Sequence, residues 1–259
     1  MTLSRDTVLD HSGKKVLLYS GGMDSYILSK FIDSDVLLYC DIGINISEAE
    51  KYWLSLQHGR EKKVLIDDRF KLGDIQRLTG FVTPLRLTIM NFIASYYGDE
   101  IYGACLKGEK FLANTEEFER QASELLTYMY SEPSYSTTPK KISIHSPFKD
   151  FLKGDIVDRY LKEIPDASLD TLAKNTFSCR EPSYHNGLCG KCLDCSFKWA
   201  ILMSRGYDMR GMFDTRSKPS NDTLRMMVSK HEELARTPLG SVYDETTISF
   251  MRDFVERVY

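Results

Sequence analysis

Along the first half of the chain, unbroken apolar runs alternate with apolar stripes at helical spacing, and that rhythm predicts strands alternating with helices. Val16, Leu17, Leu18 and Tyr19 form the first run, as a parallel strand buried on both faces requires. From Ser25 to Ile32, the residues Ile27, Leu28, Phe31 and Ile32 fall on one helical stripe. Val36 to Cys40 is a second run, ending at Asp41, where a polar side chain would emerge at the carboxyl edge of a sheet. Ser47 with Glu50 three residues later is a capping-box signal for a second helix, whose inner face carries Ala49, Tyr52, Trp53 and Leu56. Lys63 to Ile66 reads as a strand, Ile89 to Tyr97 as a helix and Glu100 to Ala104 as a strand. Thr115 to Tyr130 reads as a longer helix turning Phe118, Ala122, Leu125 and Leu126 inward.

Ser131 to Lys140, with two prolines and several hydroxyl residues, reads as a surface loop. Two more helices are expected around Leu224 to Ala235 and Thr246 to Val258, packed on the main body or on a partner subunit. The fold class that follows is α/β, a doubly wound parallel sheet with helices on both faces and ligands at the carboxyl ends of the strands. The organisation divides into an α/β domain over 1–175, a cysteine-rich helical segment over 176–205 and a helical extension over 206–259.

Composition narrows the function classes. Of the 259 residues 42% are apolar and 27% charged, so a sizeable core is expected and global disorder is not. A net charge of −3 argues against a nucleic acid as direct partner, and the pairs Lys14–Lys15, Lys62–Lys63 and Lys140–Lys141 are expected on solvated edges. No run approaches the roughly 20 apolar residues that cross a bilayer, and MTLSRDTVLD lacks the apolar centre of a signal peptide. A cytoplasmic location without membrane contact is the expectation. There the six cysteines would not pair as disulfides.

The first run leads directly into Ser20-Gly21-Gly22-Met23-Asp24-Ser25 and then into a helix, the arrangement of a phosphate cradle. Adjacent glycines let the backbone turn sharply and aim several N–H groups at an anion. The helix N-terminus adds its positive dipole end, and the Ser20 and Ser25 hydroxyls add donors. Position 24 is Asp, where a loop that moves a terminal phosphoryl group carries Lys. Asp24 would repel phosphate unless a cation intervened, so it suits a Mg²⁺ partner, in a site that grips pyrophosphate. Gly-Gly turns with Asp and Ser as simple helix-start residues share this pattern.

Cys179, Cys189, Cys192 and Cys195 lie in one short stretch with metal-ligand spacing. Four thiolates close a tetrahedral Zn²⁺ site with no position left for substrate, and Gly190 gives the knuckle backbone freedom. An iron–sulfur cluster or four unliganded thiols are the alternatives, with His185 as a surface residue. Cys40 and Cys105 read as small buried apolar residues.

The SGGMDS loop, together with a late quartet containing CGKCLDC, resembles the 7-cyano-7-deazaguanine synthase family of the PP-loop ATP pyrophosphatases, over roughly residues 14–200. Further parallels are Asp41 with Gly43, Pro84 with Arg86 before the fourth helix, Gly103, and Lys153 after the HSPF turn. The resemblance implies an ATP- and Mg²⁺-dependent ligase that adenylates the carboxylate of 7-carboxy-7-deazaguanine, releases pyrophosphate, and uses ammonia to make an amide and then a nitrile. It implies catalytic roles for Asp24, Arg86 and Lys153 and nucleotide-binding roles for Ser20, Gly21, Gly22, Asp24, Ser25, Asp41 and Gly103. It also implies zinc on the quartet, a link to queuosine biosynthesis and compatibility with a homodimer.

The chain departs from the family where substrate would be read. Leu85-Arg86-Leu87 replaces Gly-Arg-Asn, and CLKGEKF, from Cys105 to Phe111, replaces an aspartate with a Tyr-Pro-Asp-Cys stretch. An altered acceptor, a product that stops at the amide, or transfer of the activated base to another molecule would each accommodate these losses. Competing expectations are a PP-loop enzyme transferring sulfur to tRNA and a nucleotide-binding module without turnover.

Overall fold

Five short strands form one sheet in the order β3-β2-β1-β4-β5, every neighbouring pair parallel. They are β1 (Lys15–Leu18), β2 (Val36–Cys40), β3 (Val64–Asp67), β4 (Glu100–Tyr102) and β5 (Ser143–His145). The structure is a computed structural model and describes residues 13–43, 47–56, 64–69, 83–107, 116–133, 139–179, 189, 192–209, 219–236 and 243–257. The helices are α1 (Met23–Phe31), α2 (Ser47–Leu56), α3 (Thr83–Ala94), α4 (Glu116–Ser131), α5 (Lys153–Glu163), α6 (Leu169–Asn175), α7 (Leu193–Ser204), α8 (Asn221–Ala235) and α9 (Glu245–Arg257).

Strand alternation sends residues to two separate apolar layers, which is what winding helices over both faces of a parallel sheet demands. Leu17, Tyr19, Leu37 and Tyr39 meet the layer built by α1, α5, α6 and α7, with Leu54 of α2. Val16, Leu18, Leu38, Cys40 and Ile101 meet the opposite layer, with Ile93 and Ala94 of α3 and Leu126 of α4. Residues from all three expected segments join the first layer, from Leu17 through Cys195 to Met251. The C-terminal helices pack on the chain's own body: Trp199 of α7 lies 5.5 Å from Phe250 and 5.1 Å from Phe254, ring centre to ring centre.

Several local expectations are corrected. Tyr52 and Leu125, assigned inward, are exposed, because Leu54 and Leu126 take the core positions of their helices. The helix expected from Ile89 begins at Thr83, so Pro84 and Arg86 stand in its first turn, where proline is tolerated because the N–H it lacks would be unpaired. Lys140 is drawn inward: its ammonium donates to the Ser95 carbonyl and lies 4.3 Å from the Tyr130 ring centre, and burial lowers its pKa. Lys62, Lys63, His185 and Gly190 lie outside the described residues. No described helix is long and apolar enough to cross a membrane.

Candidate nucleotide cleft and metal centre

In a sheet of this order β1 is the switch point: chain leaves it toward β2 on one side, and β4 lies on the other. Crevices of doubly wound folds open at the carboxyl end of such a strand, and Ser20 to Ser25 occupies that end. Gly21 has φ +76°, a left-handed conformation that costs any other residue strain, and a Cβ there would meet Leu54 Cδ2 at 3.0 Å. Gly22 is the N-cap of α1 and accepts the Tyr26 N–H at 2.9 Å. The Ser20 and Ser25 hydroxyls lie 3.2 Å apart, and the Gly22 N–H donates to Ser20 Oγ at 3.3 Å, so the hydroxyls and the N–H converge on one spot.

Asp24, in the first turn of α1, extends one carboxylate oxygen to Lys153 Nζ at 2.8 Å. Its other oxygen, Oδ1, is buried with no hydrogen-bond partner. A buried carboxylate oxygen left bare is costly, and a hard cation is the natural group to complete it. Lys153 opens α5, so the loop, α1 and α5 meet at this pair.

The cleft has a volume of about 250 Å³ and is lined by Ser20, Gly22, Asp24 and Lys153 from the expected set. Glu50, Phe177, Asp194, Phe197 and Lys198 also line it, none of which the sequence pattern placed there, and so does Cys179 of the quartet. Gly21, Ser25, Asp41, Arg86 and Gly103 do not line it. Asp41 is buried beside it, accepting the Gly43 N–H at 3.0 Å and pairing with Lys51 at 2.9 Å. Gly103 follows β4 and donates its N–H to the His145 carbonyl at 2.9 Å; a Cβ there would meet only ordinary contacts. Arg86 acts at a distance, its charge opposing the upward pKa shifts of Glu50 and Cys40.

Glu50 is 9% exposed, and its Oε2 accepts the Tyr39 hydroxyl at 2.6 Å. Burial raises its pKa, and the Asp41 and Asp194 charges add to the rise, against the Tyr39 hydrogen bond and Arg86. Lys198, 1% exposed, donates to the Ala173 carbonyl at 2.8 Å and the Thr176 carbonyl at 2.6 Å, capping the negative end of α6. Burial brings its pKa down to about 7. Cys40 is a buried inert thiol with its pKa pushed up to about 12 by burial, as expected, while Cys105 is only half-buried.

The four quartet sulfurs lie within 4.8 Å of one another. Sulfurs around one tetrahedral Zn²⁺ are separated by about 3.8 Å, given Zn–S bonds of ~2.3 Å, and Cys189 Sγ to Cys195 Sγ is 3.9 Å. The Cys189 N–H donates to Cys179 Sγ at 3.4 Å and the Cys192 N–H to Cys189 Sγ at 3.3 Å, bonds that favour thiolate. The donor set fits one soft or borderline ion, and Cys179, Cys189, Cys192 and Cys195 would hold it. Such a spread is tight for a multi-iron cluster, whose several metal atoms hold their cysteines farther apart.

The cysteine quartet and the glycine loop are linked through Phe177. Phe177 donates its N–H to the Gly21 carbonyl at 2.8 Å and packs on Trp53 at 5.8 Å between ring centres, two residues before Cys179. Comparison with protein-family models, with curated proteins and with solved structures returns no match.

Proposed function

We propose that this chain is an ATP-dependent carbon–nitrogen ligase of the PP-loop type that adenylates a carboxylate, releases pyrophosphate and passes the acyl group to ammonia, with a carboxylated 7-deazapurine as the acceptor class. The observation that carries the reading is the glycine loop at the switch point with Asp24 Oδ1 buried and bare beside Lys153. The loop N–H groups and the α1 N-terminus suit a departing diphosphate. Asp24 and Lys153 have opposite charges, so one oxygen of Asp24 is neutralised by the ammonium while the other stays open to Mg²⁺. Bound there, Mg²⁺ would supply charge neutralisation for the phosphates.

Physically, the need for ATP is simple. A carboxylate resists attack by ammonia until one oxygen becomes part of a good leaving group, and AMP is one. Catalysis then rests on holding the α-phosphate against the carboxylate and stabilising charge as pyrophosphate leaves. Zn²⁺ on the buried quartet would be structural, since four thiolates leave no open coordination position. The compact sulfur set weighs against the iron–sulfur, sulfur-transferring alternative.

Incubation of the protein with ATP, Mg²⁺, ammonia and 7-carboxy-7-deazaguanine tests the reading. AMP and pyrophosphate in equal amounts are the expected products, with the amide or nitrile. ADP and phosphate would overturn it, and ATP binding without any turnover across a panel of carboxylated deazapurines would reduce the chain to a nucleotide-binding module.

A further inference from the structure

The candidate cleft contains two carboxylates that the nucleotide chemistry does not use, Glu50 and Asp194, and Glu50 is the buried one. Glu50, on α2, lines the cleft together with Asp194 and Lys198, and its Oε2 accepts the Tyr39 hydroxyl at 2.6 Å. Burying a carboxylate is costly, and Glu50 stands in the first turn of α2, where the helix N-terminus and the Tyr39 hydroxyl both favour its ionised form. Its wall partners include the rings of Phe177 and Phe197 and charged groups of both signs, Lys153 and Lys198 being held by Asp24 and by two carbonyls, so the space in front of it is part apolar and part charged. That combination suits a small cation that must give up a proton: the carboxylate attracts it, and the low-dielectric wall makes the neutral product easier to form.

Resting on the ligase reading above, we infer that Glu50 is the catalytic residue that binds the incoming ammonium ion and takes its proton. The step balances as follows. Ammonium gives one proton to a Glu50 oxygen and becomes ammonia. The ammonia lone pair forms a C–N bond to the acyl carbon, and the C–O bond to the adenylate breaks with its electron pair remaining on AMP. A second proton leaves the nitrogen to solvent, giving the amide. No oxidant or reductant is involved. Glu50 then returns its proton to bulk before the next cycle.

Every charged or titratable group found to act on Glu50 is consistent with a base that must both accept and release a proton. Tyr39 and Arg86 favour its ionised form, whereas burial, Asp41 and Asp194 favour its neutral form. Asp41 is itself paired with Lys51, which moderates its effect. Lys153 is engaged with Asp24, and Lys198 with two carbonyls across the same cleft.

The test separates the two half-reactions in the full-length protein. ATP–pyrophosphate exchange, driven by the carboxylated deazapurine without ammonia, reports adenylation; amide formation at fixed ammonium reports the second half. Glu50→Gln is expected to leave exchange within about threefold of the parent while amide formation at neutral pH falls on the order of 100-fold or more. Raising the pH toward 9 supplies free ammonia, so the deficit is expected to shrink by about tenfold or more. Tyr39→Phe, which removes only a hydroxyl, is expected to shift the pH–rate profile of amide formation to higher pH, and it keeps the test alive where Glu50→Gln fails to fold. Loss of exchange in Glu50→Gln, a rise in the acceptor KM alone, or a deficit that free ammonia does not relieve would each overturn the assignment. Absence of exchange in the parent protein would instead remove the ligase reading itself.

Discussion

Gly21→Ala is the sharpest perturbation of the loop, because two separate features of that residue forbid a side chain. At φ +76° an alanine is forced into left-handed backbone, at a cost of about 1–2 kcal/mol. Its Cβ would also meet Leu54 Cδ2 at 3.0 Å, a tight contact, and where the loop rather than the Leu54 side chain gives way, the 2.8 Å bond from the Phe177 N–H to the Gly21 carbonyl weakens, at a cost of about 1 kcal/mol. Together these amount to roughly 2–3 kcal/mol, or about 30- to 150-fold in affinity if the variant relaxes when empty and is strained again on binding. Isothermal calorimetry with Mg²⁺ and ATP reads that loss. Gly206→Ala is the control, since Gly206 has φ +85° but nothing within 4 Å of an added Cβ and lies in the turn after α7 rather than in the loop. It is expected to lower Tm by a few degrees, at about 2–4 °C per kcal/mol, without touching ATP affinity. The reasoning is refuted if Gly21→Ala binds ATP like the parent, or if the control weakens binding equally.

Three other outcomes follow from the same contacts. Cys192→Ser is expected to drop bound metal from about one Zn²⁺ per chain to substoichiometric values and to lower Tm, read by elemental analysis and scanning calorimetry; full retention of metal would contradict the quartet as a site. Gly154→Ala places a Cβ onto the Asp244 carboxylate, which caps α9 through the Thr247 N–H at 3.0 Å and pairs with Arg205 at 3.2 Å. A loss of about 3 kcal/mol or more and faster proteolysis near Asp244 are expected from breaking this buried set. Burial alone would raise the Asp67 pKa, but the Arg69 side chain and N–H and the Tyr97 hydroxyl together hold it below 3.8. The stability it contributes is therefore complete above pH 3.8 and is lost as pH falls through the lower folded value. Chemical denaturation of Asp67→Asn against the parent should show a gap at neutral pH that closes in acid, and a gap constant with pH would contradict the pairing.

How far the sequence could be read depended on whether a feature was local. Val36 to Cys40 was legible as a strand because an apolar run bounded by polar residues has one economical solution in a parallel sheet. The quartet was legible for the same reason: its four cysteines are close in sequence, and their sulfurs lie within 4.8 Å of one another. β5 and α5 gave weaker signals. The three-residue β5 has too few positions to show a period, and α5 begins at Lys153 after a turn that hides its start. The spacing of Glu50 from Ser47 is a local signal for a helix start, whereas its hydrogen bond to Tyr39 joins a strand to a helix and has no local signature. Lys198 could not have been placed at all, since its partners are carbonyls at the end of another helix. Its apolar neighbours Trp199 and Phe197 were the available hint that this stretch is buried.

The most direct measurement of the central claim follows the oxygen atoms. With a carboxylated deazapurine whose carboxyl oxygens carry a heavy isotope, attack on the α-phosphate must leave one labelled oxygen on AMP, seen by phosphorus NMR or mass spectrometry. The account predicts one label per AMP and none in pyrophosphate. Label in inorganic phosphate, or AMP carrying only solvent oxygen, would contradict it.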